Sequence, residues 1–134
     1  MADDGYRWVE HTAELELEVH GRTEEAVFAQ ALRAFAELVG DRTAREAVTR
    51  EIALAGAERA VLLAHWLDEL EFLAETEDLV PDAIERLELV PAGLRATVRC
   101  HRGHPRSVVK GVTYHRLAFE RDGDGYRATV ILDV

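Results

Sequence analysis

Asp133 stands next to Val134 at the end of the stretch ATVILDV, so a side-chain carboxylate sits beside the α-carboxylate of Val134. Two such groups repel each other unless a positive partner lies between them. Hard divalent cations such as Ca²⁺ and Mg²⁺ take oxygen donors of this kind. A third carboxylate nearby would complete a cation site. Glu14 has a fitting context: it follows His11, Thr12 and Ala13, where an irregular entry into a strand could aim its side chain at another element. Glu16 and Glu18 read instead as the solvated face of that strand. By spacing alone, a solvated acidic end remains the competing reading for Asp133.

Three further groups invite chemistry. Lys110 and His115 lie in KGVTYHRL and could support proton transfer or anion binding. On a regular strand positions 110 and 115 face opposite sides unless a bulge intervenes, so spacing favours an edge strand with one basic residue. Cys100, His101 and His104 in CHRGH have metal-ligating side chains. The simpler reading continues Leu94, Ala96 and Val98 inward to Cys100 and leaves His104 in a loop. DGDG at 122–125 resembles the start of a calcium loop but lacks the closing glutamate, and it suits a tight turn between strands. P-loop, dinucleotide, GxSxG and HExxH signatures are absent from the sequence.

These residues need elements to hold them. ELELEVH at 14–20 alternates strictly and predicts a half-buried strand ended by Gly21. Thr23 is an N-cap candidate for a helix with Phe28, Leu32, Phe35 and Val39 on one stripe and Gly40 as its stop. Val48, Ile52 and Leu54 suggest a second strand. A second helix runs from about 58 to 74, burying Leu62, Leu63, Trp66, Leu70 and Leu73. Ile84–Leu89, Leu94–Cys100, Val108–Glu120 and Tyr126–Val134 read as further strands, with turns at 91–93 and 122–125. Connections this short require antiparallel neighbours. The expectation is one α+β domain over 1–134, two helices packed against largely antiparallel sheet.

Composition narrows the function. The net charge of −10 argues against direct nucleic-acid binding and favours a cation or a basic protein surface as partner. No apolar stretch suits a membrane span, the acidic start has no signal-peptide core, and the single Cys100 fits the reducing cytoplasm. Oligomeric state is not written in the pattern. Lys110 is the sole lysine.

Taken in order, HTAELELEVHG (11–21), LLAHWLDELEFL (62–73), KGVTYHRL (110–117) and the final VILDV resemble the archease family. The resemblance spans nearly the whole chain. It implies a protein cofactor, not a catalyst, that activates the RNA ligase RtcB in tRNA splicing or RNA repair. The ligase joins RNA ends using GTP and Mn²⁺, and the activator promotes guanylylation of the ligase active-site histidine and multiple turnover. It also implies a divalent cation, Ca²⁺ first and Mg²⁺ second, held by residues that fall here on Glu14, Asp133 and the Val134 carboxylate. The family usually has HTAD where this chain has HTAE, so Glu14 adds a methylene that a flexible Ca²⁺ shell absorbs more easily than a Mg²⁺ octahedron. His11, Lys110 and His115 match motif positions. The competing readings are a chaperone-like adaptor for RNA-modifying enzymes and, last, a small metal-dependent hydrolase using His11 and Asp133.

Overall fold

The computed structural model describes residues 3–41 and 46–134. In chain order these form β1 (Gly5–His11), β2 (Glu14–Gly21), α1 (Glu24–Val39), β3 (Ala47–Ala55), α2 (Arg59–Glu77), β4 (Leu79–Val90), β5 (Gly93–Arg102), β6 (Gly111–Asp122) and β7 (Gly125–Asp133). One antiparallel sheet has the order β1-β2-β7-β6, the other β3-β5-β4. The helices join them: α1 packs on β2 and β4, and α2 packs on β6, β4 and β3. Among the described residues, no strand of one sheet is hydrogen-bonded to a strand of the other.

The predicted elements form for the predicted reasons. Leu17 and Val19 point inward from β2, and Val130 and Leu132 from β7, all within 1% of complete burial. Thr23 caps α1, its Oγ1 accepting the Ala26 N–H at 3.0 Å. Trp66 of α2 meets Phe28 of α1 edge-on, ring centroids 6.1 Å apart, and its Nε1–H donates to the Phe28 carbonyl at 3.0 Å.

The structure adds a strand, moves two strand starts, and carries the second helix on to Glu77. β1 was not expected: its inward Tyr6 and Trp8 are only partly buried, as suits an edge strand, so its alternation is faint. β4 begins at Leu79 rather than Ile84, because register shifts around Pro81 and Ile84 interrupt its alternation. Proline is tolerated there because β4 is a sheet edge. β6 begins at Gly111 rather than Val108, since the approach from 103 to 110 lies outside any strand.

Gly93 opens β5 directly against β3. A Cβ there would run into the Leu54 carbonyl oxygen, and backbone cannot swing aside. Gly93→Ala is therefore expected to lower stability by about 1–3 kcal/mol in urea unfolding. An unchanged midpoint would show that β3 and β5 can part without cost.

Candidate metal centre

The candidate centre lies at one end of the four-stranded sheet. A two-residue turn, Thr12–Ala13, joins β1 to β2. Ala13 has φ of 60°, a left-handed conformation that costs an ordinary residue about 1–2 kcal/mol. This is the irregular entry anticipated before Glu14. The Ala13 carbonyl accepts the Val134 N–H at 3.1 Å, which ties the last residue to the turn.

Register then lines up the side chains. Glu14 is the direct cross-strand partner of His11 on β1 and of Asp133 on β7, and Asp133 is in turn the partner of Gly111 on β6. The Lys110 N–H donates to the Asp133 carbonyl at 2.8 Å. So His11, Glu14, Asp133, Val134 and Lys110 gather at one sheet end. His115 does not join them: it is exposed and lies in an irregular stretch of β6, its N–H donating to Thr113 Oγ1 at 3.3 Å.

That stretch alters the parity argument. Thr113 pairs with Ile131 and Ala118 with Thr129, so residues 114–117 stand opposite a single residue of β7. Arg116 within it has φ of 55°. Its guanidinium crosses β7 and pairs with Glu16 on β2 at 3.3 Å. Ile131, the cross-strand partner of Glu16 and Thr113, is fully buried although it stands apart from the main core.

The charges on this face are sorted. Glu16 is not a solvated residue as expected: its side chain is 15% exposed and accepts from both Arg116 and the His11 ring, the latter at 3.1 Å. Glu18 pairs with Arg7 at 2.6 Å. Among the described residues, Glu14 and Asp133 have no basic side chain within ion-pair distance. Like charges directly opposite in an antiparallel pair are destabilising. Register thus sets two carboxylates opposite each other, with no basic side chain within ion-pair distance among the described residues, beside Val134, whose N–H is held by the Ala13 carbonyl; these are candidate oxygen donors. Their chemistry suits a hard divalent cation.

The other candidates resolve into structure. Among the described residues, no three His, Cys, Asp or Glu side chains cluster as metal ligands. Cys100 is buried, and burial first, then Asp82, pushes its thiol up to about 11, so it remains a neutral thiol. The His101 ring lies between Asp82, at 2.7 Å from Nδ1, and the Asp41 carbonyl, at 3.1 Å from Nε2. DGDG is the β6–β7 turn, with Gly123 at φ of 61°. Sequence reasoning missed the roles of Glu16 and Arg116. The signal available was the length of the 108–120 segment together with its broken alternation.

These features define a class: an acidic α+β protein with two antiparallel sheets about a helix pair and a facing pair of carboxylates at one sheet end. The chain belongs to the Archease protein family (MTH1598/TM1083), whose model matches residues 6–134. Protein archease of Saccharolobus solfataricus is 32% identical, covering 96% of this chain and 98% of its own. Protein archease of Methanosarcina acetivorans is 30% identical, covering 96% and 95%. The solution structure of Methanobacterium thermoautotrophicum protein 1598 superposes with a TM-score of 0.76 at 30% identity, covering 97% of this chain and 99% of that one. The crystal structure of a Thermotoga maritima archease, described as a possible chaperone, gives 0.68 at 26% identity, with 94% of each chain covered. Among the described residues, no helix is long and apolar enough to cross a membrane.

Proposed function

We propose that this chain is a protein cofactor for an RtcB-type RNA ligase. It promotes guanylylation of the ligase active-site histidine and repeated turnover in tRNA splicing or RNA repair, and catalyses no reaction itself. A divalent cation, Ca²⁺ rather than Mg²⁺, is held by Glu14, Asp133 and the α-carboxylate of Val134. The observation that carries this reading is the facing pair Glu14 and Asp133, with no basic side chain within ion-pair distance of either among the described residues. When bound, the cation supplies a local positive charge at the edge of an acidic protein.

The chain's own residues do the rest. His11 and Arg116 occupy Glu16, so the next carboxylate along β2 is withdrawn from competition. The hydrogen bonds from Val134 to Ala13 and from Lys110 to the Asp133 carbonyl hold β7 between β2 and β6. Such a rigid, charge-sorted end can dock beside the nucleotide site of a ligase and reposition its groups. The reducing cytoplasm is the proposed compartment, where the buried Cys100 stays a thiol.

Single-turnover guanylylation of a cognate RtcB-type ligase, with and without this protein, tests the reading. Acceleration is expected. Equal rates would sink it and leave the adaptor reading, for which suppression of client aggregation is the assay.

A further inference from the structure

A second feature lies away from the sheet end. The segment from Gly103 to Lys110 crosses the C-terminal ends of both helices, pinned by the Arg106 N–H to the Val39 carbonyl at 2.8 Å and by the Gly103 N–H to the Asp78 carbonyl at 3.0 Å. Between this segment and the helices runs a groove of about 230 Å³. Phe35, Val39, Ala74 and Val109 make its apolar floor, and Glu71 and Glu75 stand at its rim.

The rim is acidic and lacks a cationic partner among the described residues. Arg106 also lines the groove, but no carboxylate lies within ion-pair distance of it, and its guanidinium lies on the Gly40 side, over the end of α1. Asp68 and Asp78 add further negative charge from α2 and its C-cap. Phe72, 53% exposed, leaves a large apolar side chain on the same part of α2.

We infer that this groove is a docking site for an arginine or lysine side chain of the ligase, the aliphatic stem lying on the apolar floor and the cation between Glu71 and Glu75. The inference rests on the ligase-activator reading and supplies a contact surface distinct from the carboxylate pair at the sheet end. An acidic protein selects a basic partner, and an apolar floor suits the methylenes of a long side chain. Burial first, then the hydrogen bond and charge of Glu75, hold the Glu71 carboxyl up to about 7. Asp68 and Glu75 both oppose its ionisation, and no cation among the described residues relieves it. A guanidinium inserted between Glu71 and Glu75 favours the ionised form, so binding releases a proton and tightens as pH rises through 7.

The direct probe is a pentapeptide, acetyl-Ala-Ala-Arg-Ala-Ala-amide, against its citrulline counterpart, which keeps the shape and loses the charge. In NMR titrations the arginine peptide is expected to move the amides of Glu71, Ala74 and Val109. Its affinity should rise roughly tenfold from pH 6 to pH 8, following the ionised fraction of Glu71. The Glu71→Gln/Glu75→Gln variant should lose at least tenfold in affinity. With the ligase, that variant should need several times more protein for half-maximal guanylylation and reach the same plateau. Equal binding of the arginine and citrulline peptides would overturn the inference without needing any variant to fold. An unchanged half-maximal concentration would overturn it too. A ligase that the unaltered protein does not stimulate defeats the activator reading instead, and the peptide map still decides the groove.

Discussion

Asp133→Asn is expected to abolish the stabilisation of this protein by calcium. Without the cation, Glu14 and Asp133 face each other across the β2–β7 pair as like charges. Removing one charge is expected to raise stability in chelator by a few tenths of a kcal/mol. With Ca²⁺ the order inverts. The unaltered protein is expected to gain stability as ligand saturates the folded state, about 2.7 kcal/mol at a hundredfold excess over Kd, and the variant to gain little. Loss of one outer-shell partner already costs a metal site about 10–100-fold, so loss of a ligand carboxylate should cost at least that much affinity. Guanylylation of the ligase should fall with the site. Thermal melts in EDTA and in Ca²⁺, run on both proteins, check all of this. A calcium-induced rise that is the same in both would remove Asp133 from the site. Glu14→Asp should keep the response, and amidation of the Val134 carboxylate tests that donor separately.

Trp66→Ala carries the largest stability effect. Trp66 is fully buried, packs edge-on against Phe28 and donates to the Phe28 carbonyl. Phe28 in turn meets Phe119 of β6 at 6.0 Å, and Phe119 meets Tyr126 of β7 at 6.1 Å. The run of rings ties both helices to the sheet that carries the carboxylates. Replacing Trp66 with alanine should cost about 3–5 kcal/mol, a large share of the 5–15 kcal/mol typical of a whole domain. The urea midpoint should fall with an unchanged slope. Trp66→Phe keeps most of the apolar contact and should cost distinctly less. A loss below about 1 kcal/mol for the alanine variant would mean that the core closes over the gap.

Much of this was legible because burial writes itself into periodicity. Phe28, Leu32 and Phe35, and likewise Leu62, Trp66 and Leu70, recur at helical spacing because one face of each helix is buried. The interior β2 shows a period of two for the same reason, and the two-residue turn before Glu14 left its trace as a break in alternation. What stayed hidden has no periodic signature. β1 is an edge strand with partly buried aromatics, so its pattern is weak. The strap at 114–117 depends on a φ of 55° at Arg116, a residue type that gives no warning of it. The pairing of Arg116 with Glu16 joins strands that only the fold brings close. The facing of Glu14 and Asp133 was of this kind as well; the donor set came from family resemblance, and register supplied the geometry.

The pairing of β2 with β7 has a consequence for synthesis. β2 is among the first strands to be made and β7 follows every other element. While the ribosome is still translating, the β1–β2 hairpin must wait with one edge open, whereas the β3-β5-β4 sheet draws on a contiguous stretch and can close earlier. Non-local pairing of this sort slows the final step and prolongs exposure of an unpaired strand edge. It also means that a growing chain cannot bring Glu14 and Asp133 together before β7 has been made.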